Sequence, residues 1–170
     1  MSLENNTPPS QKLELEDWIE QQLKQVDAQI SQLMEEEAQK VISDFWKYKE
    51  KANNHKTHSQ RSKLNPRLRA SKDRRHYAIE WQVYNNNFRN MTSGNTSFPT
   101  NLKKGKNEEC TYTFREFKKY AHSWEIEHVL LVEEWLSNIR QQYALLLEIR
   151  KTFVKLQKKR QKYWELPLIE

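Results

Sequence analysis

Residues 11–51 of the chain read QKLELEDWIEQQLKQVDAQISQLMEEEAQKVISDFWKYKEK. Leu15, Ile19, Leu23, Val26, Ile30 and Leu33 recur at steps of four and three, the spacing of one apolar helix face or a coiled-coil seam. The apolar positions then move to Met34, Ala38, Val41, Phe45 and Tyr48, a change of register that turns the face as a stutter does. A helix of this length, roughly 60 Å at 1.5 Å per residue, needs a partner along its length.

The C-terminal third supplies one. Thr113-Phe114-Arg115-Glu116 reads as a capping box, and an apolar stripe follows through Phe117, Ala121, Trp124, His128, Leu131, Val132, Trp135, Ile139, Tyr143, Leu146, Ile149, Phe153 and Leu156, with Pro167 past its end. Acidic residues open the first helix (Glu14, Glu16, Asp17, Glu20) and basic ones close the last (Arg150 to Lys162), which antiparallel packing would set side by side and helix dipoles favour. Between the helices, Tyr77, Ile79, Trp81 and Val83 alternate with polar residues at the period of a half-buried strand. Phe98–Leu102 and Cys110–Thr113 are candidate short strands around the Lys103-Lys104-Gly105-Lys106 turn, and Pro99 confines the first to a sheet edge.

The expected fold is therefore mainly α: a long antiparallel helical hairpin with a small two- or three-stranded β patch inserted between the helices. Residues 1–10, with Pro8 and Pro9, form a disordered tail in this reading. Residues 11–170 form a single domain, comprising a long acidic helix 11–51, a basic loop 52–76, short strands and turns 77–113, and a C-terminal helix 114–165. Trp18, Trp46, Trp124 and Trp135 fall on or beside the helical seams, where they are expected as core.

Composition narrows the function. With only Gly94 and Gly105, the chain has little room for the phosphate-cradling loops of a Rossmann or P-loop enzyme. The single Cys110 excludes an internal disulfide framework and a multi-cysteine metal site, and suits a reducing compartment. Neither a signal peptide nor an apolar run of membrane-spanning length is legible, so a cytoplasmic protein without a membrane partner is expected.

Charge is unevenly distributed. Residues 1–46 hold 3 basic and 10 acidic side chains, residues 47–122 hold 18 and 6, and residues 123–170 hold 8 and 7. Most of the basic excess lies in Lys47–Arg75, opposed within that block only by Glu50 and Asp73. A polyanion is the natural partner of such a block, with double-stranded DNA ahead of a protein partner or an anionic membrane surface, because Lys and Arg release condensed counterions from phosphates. Interspersed Asn53, His55, His58, Gln60 and Ser62 offer further bonds to phosphates or base edges. The candidate contacts are Lys56, Arg61, Lys63, Arg67, Arg69, Lys72, Arg74 and Arg75, extended by Lys103, Lys104 and Lys106. The plainer alternative is a solvated loop that keeps the protein soluble or neutralises the acidic helix.

No catalytic constellation is legible, and neither cofactor nor metal is expected. Glu125-Ile126-Glu127-His128 contains one Glu-x-x-His, but a helical di-iron site needs a second copy and two more carboxylates. His128 reads better as a polar member of the seam with a hydrogen-bond partner. His55 and His58 lack further ligands for zinc, and nothing nominates a base for Cys110.

The order of parts resembles a known group. A long acidic helix precedes a basic segment ending in Arg74-Arg75-His76-Tyr77, followed by Ile79-Glu80-Trp81 and the Lys104-Gly105 turn. Ala121-His122-Ser123-Trp124-Glu125 then opens a long helix carrying Glu133-Glu134 and Ile139-Arg140. Over about residues 35–160 this is similar to the MobI group of conjugative-transfer auxiliary proteins of bacterial mobile elements. The resemblance rests on general pattern and carries no site residues over. It implies a cytoplasmic protein helping a separate relaxase engage DNA at a transfer origin. The expected function is thus a non-enzymatic, DNA-associated accessory protein; the alternative is a coiled-coil protein–protein adaptor, with homodimerisation through the acidic helix as one form.

Overall fold

The computed structural model describes residues 9–70, 77–84, 99–105 and 111–164, and, within the two long helices, side chains from 17 to 53 and from 126 to 159. Helix α1 spans Pro9–Asn53, β1 Leu64–Ala70, β2 Tyr77–Val83, β3 Thr100–Asn101, α2 Phe114–Phe117 and α3 Ile126–Trp164; a 3₁₀ turn occupies His58–Gln60. The protein is mainly helical, with one small three-stranded antiparallel sheet in the order β1-β2-β3.

The shift of register in α1 separates two kinds of surface. Met34, Ala38 and Phe45 are buried, whereas Ile19, Leu23, Val26, Ile30 and Leu33 are exposed. Contacts with α3 advance along α1 as they retreat along α3. The Asp27 carboxylate accepts from Arg150 Nε at 2.7 Å, Ser31 Oγ lies 2.6 Å from the same guanidinium, Phe45 stacks on His128, and Tyr48 meets the same ring at a tilt.

Several expectations are corrected. Residues 64–70, expected within a basic loop, form β1, because Leu64, Pro66 and Leu68 alternate with Asn65, Arg67 and Arg69 and pair with β2 in register from Leu64↔Val83 to Ala70↔Tyr77. Pro66 is tolerated because β1 lies at the sheet edge. The strand expected at 98–102 is only Thr100–Asn101, and Thr111–Thr113 form none; Phe98 and Cys110 lie outside the described residues.

The C-terminal helix does not run unbroken from 114. The expected capping box is present at Thr113 and Glu116, with Thr113 N–H donating to the Glu116 carboxylate at 2.7 Å, but it starts only the short α2. A second acidic residue three positions on repeats the arrangement: His122 N–H donates to Glu125 at 2.9 Å just before α3. At the other end of the chain, α1 opens at Pro9, inside the expected tail, as a proline with preset φ can do in a first turn. Trp18, Trp46 and Trp135 are exposed rather than core, since the face buried in each helix lies to one side of them.

The core sits where the sheet's inner face meets both helices. Trp81 is fully buried, edge-on to Phe45 at 5.2 Å and to Phe117 at 5.1 Å between ring centroids. Its indole N–H donates to Glu133 Oε2 at 2.7 Å, while Glu133 Oε1 accepts from Tyr112 N–H at 2.7 Å and from Arg140. Burial pushes the Glu133 carboxyl above its usual range, opposed by the Arg140 charge and these hydrogen bonds. The carboxylate thus ties β2, the segment before α2, and α3 together.

Candidate nucleic-acid interface

Pleating divides the sheet into two faces. Leu64, Pro66 and Leu68 with Ile79, Trp81 and Val83 turn inward. The opposite face carries Lys63, Asn65, Arg67 and Arg69 on the β1 side and Glu80, Gln82 and Tyr84 on the β2 side; Tyr84 N–H donates to the Lys63 carbonyl at 2.9 Å and continues the ladder. Arg67 and Arg69 are exposed, and Arg69 reaches Glu80 at 3.3 Å. Asn101 bridges the face, donating to Glu80 at 3.0 Å and accepting from Gln82 at 3.0 Å.

A second basic patch lies at the end of α1. Trp124 Nε1–H donates to the Gln60 carbonyl and His122 Nε2 to the Arg61 carbonyl, each at 3.2 Å, so the start of α3 holds the 58–61 segment in place. Lys56 sits over the Trp124 ring with its ammonium 4.3 Å from the centroid, a cation–π contact, and the His122 ring is parallel to the same indole. Arg61 is exposed there. Lys118 and Lys119, in the turn leading to His122, are also exposed; sequence reading passed over them because they lie outside the dense basic block.

Of the candidates named from sequence, Lys63, Arg67 and Arg69 share the outer sheet face, and Lys56 and Arg61 share the Trp124 end. Lys103 and Lys104 are exposed beyond β3, the edge opposite β1, with Lys104 5.9 Å from the Tyr112 ring centroid. Lys72, Arg74, Arg75 and Lys106 lie outside the described residues.

Lys49, counted in the basic block, faces inward instead. Its ammonium donates to the Leu64 carbonyl at 3.1 Å and to Asn65 Oδ1, and burial lowers its pKa to about 8 against the opposing pull of Glu125. Asn53 and Gln60, offered above to phosphates, close the loop: Asn53 Oδ1 accepts from Ser62 N–H at 3.0 Å and Gln60 Oε1 from Thr57 N–H at 3.4 Å.

His128 is a seam residue, but without the expected partner. Its ring centroid lies 3.7 Å from that of Tyr48, Nε2 is buried with no hydrogen-bond partner among the described residues, and burial lowers its pKa. Glu125 of the same Glu-x-x-His is occupied in receiving the His122 N–H. Among the described residues, no three His, Cys, Asp or Glu side chains are grouped to hold a metal ion, and no helix is long and apolar enough to cross a membrane.

The chain matches the model of the MobI protein family over residues 34–154, from the buried stretch of α1 through the sheet and the Trp124 end to late α3. No curated protein and no solved structure matches it. A match over most of the chain, spanning the sheet and both helices that hold it, establishes that the chain belongs to the mobilization-related MobI family.

Proposed function

We propose that this protein is a non-enzymatic, cytoplasmic accessory of conjugative mobilization that binds duplex DNA through the outer face of the β1–β2 ribbon. Family membership supports the mobilization part of the reading. The DNA part rests on one observation: Arg67 and Arg69 occupy alternate positions of one edge strand and are exposed, with Lys63 half-buried just before the strand and the buried Asn65 between. Alternate strand residues stand about 6.8 Å apart, which sets Arg67 and Arg69 side by side as a pair of cations. A two-stranded ribbon is also among the few elements that a DNA major groove admits.

Lys56 and Arg61 at the Trp124 end, and Lys72, Arg74 and Arg75 in the sequence joining β1 to β2, add further charge for phosphates. The opposed order of contacts from Asp27–Arg150 to Tyr48–His128 supports reading α1 and α3 as an antiparallel helical hairpin that carries the ribbon. Assistance to a separate relaxase at a transfer origin is the role that this arrangement would serve.

The test is fluorescence anisotropy of a labelled duplex over a salt series, comparing the wild type with R67A/R69A. Affinity of the wild type should fall with a log–log slope near −0.9 per neutralised phosphate, and the variant's slope should shrink by about 1 to 2 in magnitude. Circular dichroism checks that the variant keeps its fold. Equal binding by both proteins moves the contact off the ribbon, and no binding at low salt leaves the protein-adaptor reading.

A further inference from the structure

We infer that the open apolar face of the helical pair is a homodimer interface, at which a second copy of this chain docks to form a four-helix bundle. Ile19, Leu23, Val26, Ile30 and Leu33 follow the strict four–three spacing of a coiled-coil seam, yet each is between 39% and 61% exposed. On α3, Leu145, Ile149 and Leu156 are between 51% and 65% exposed.

Helical geometry puts these rows together. At 100° per residue, the α1 stripe lies about 100° back from the row that meets α3, which includes Asp27, Ser31, Met34 and Ala38. On α3 the exposed row lies about 100° back from Tyr143, Leu146 and Arg150, the row turned to α1. Equal rotations about helices whose contacts run in opposite senses turn both rows to one side of the pair. Asp27 meets Arg150, and the Glu20 carboxylate is bonded by Gln157, so α1 19–33 and α3 145–156 lie along the same stretch. The sheet packs against the other side, where Ile42 and Trp46 of α1 line a cleft with β1.

Size and charge select a second copy as the occupant. The exposed fractions amount to roughly 700 Å² of apolar surface, near the roughly 800 Å² that each partner contributes to a standard stable interface. A two-fold contact sets each surface against itself, so flanks of a single charge sign would repel. Here Asp27 is turned to Arg150 and Glu20 to Lys24 and Gln157, while the free flank of the stripe carries Gln22, Gln25 and Gln29. Along α1 this uncharged flank offers nothing to an oppositely charged partner and tolerates its own image; along α3 Glu148, Lys151 and Lys155 carry both signs of charge, with Lys151 paired to Glu148. Because the stripe precedes the family-matched residues and lies opposite the sheet, the inference does not depend on the DNA reading and leaves the ribbon open.

The test is sedimentation velocity of the full chain from about 1 to 100 μM, alongside L23K/I30K and, on the other helix, L145K/I149K. The wild type should sediment at twice the 20.7 kDa chain mass. Each variant should be monomeric with its dissociation constant raised about 100-fold or more, and should keep its helical circular dichroism because these side chains are exposed in the single chain. If one variant misfolds, the other carries the test. A monomeric wild type at 100 μM overturns the proposal even if the variants impair transfer, since the face would then serve a different protein. A dimer that persists in both folded variants places the interface elsewhere and also overturns it.

Discussion

Replacing Glu133 by Gln should cost about 4 kcal/mol of folding stability, within the ~3–5 kcal/mol that follows when one partner of a buried ion pair is removed. The side chains of Glu133 and Arg140 are only 3% and 8% exposed. One carboxylate oxygen accepts the Trp81 indole N–H and the other accepts both the Tyr112 N–H and the Arg140 guanidinium. A glutamine has a single oxygen. If that oxygen stays with Tyr112 and Arg140, the amide NH₂ meets the indole N–H, two donors facing one another, and the buried guanidinium loses its ion pair with Glu133. Urea unfolding followed by circular dichroism measures the loss, which is large against the roughly 5–15 kcal/mol that holds a typical domain.

A double-mutant cycle isolates the cause. R140M alone should also be costly, because it leaves the carboxylate charge buried with two neutral donors. E133Q/R140M should cost at least about 2 kcal/mol less than the sum of the single variants, since the double variant removes both members of the buried pair. An E133Q loss below about 1 kcal/mol, or strict additivity in the cycle, would refute the account of this carboxylate as the junction of the sheet and helices.

Stability should rise with pH between about 8 and 10.5: Lys49 has a folded pKa of about 8 against 10.5 ordinarily, so the unfolded chain binds more protons in that window. The full depression corresponds to about 3 kcal/mol, and K49M should flatten the slope in chemical denaturation at stepped pH. His128 behaves in the same sense at lower pH: burial lowers its folded pKa, so stability should fall as pH drops through about 6.5, and H128F should remove that loss in thermal melts. K118A/K119A should weaken duplex binding at low salt with no change in melting temperature, as anisotropy and calorimetry together would show, if the Trp124 end contributes to the phosphate-binding surface.

Periodicity and local capping were legible in the residues themselves. Two long helices follow from the four–three spacings through Ile19 to Leu33 and Val132 to Leu146, β2 from the alternation of Tyr77 to Val83, and the start of α2 from Thr113 and Glu116, because each is encoded within a turn or two of chain. The uneven charge, too, is a property of sequence alone. Strand β1 was obscured by its own chemistry: a proline stands at one of its apolar positions and its polar positions merge with a dense basic run, and only pairing with β2 at a sheet edge makes Leu64, Pro66 and Leu68 an inward face.

Tertiary contacts decided the rest, because a side chain's partner is set by which elements meet and not by its neighbours in sequence. They turned Lys49 inward while leaving Arg67 and Arg69 outward, although all three belong to one basic block. They gave His128 aromatic neighbours instead of a hydrogen bond, and Glu133 three donors from separate segments. The same holds for the helical stripes. Sequence shows that Ile30 and Met34 are both apolar, but only the position of α3 buries Met34 and leaves Ile30 facing out.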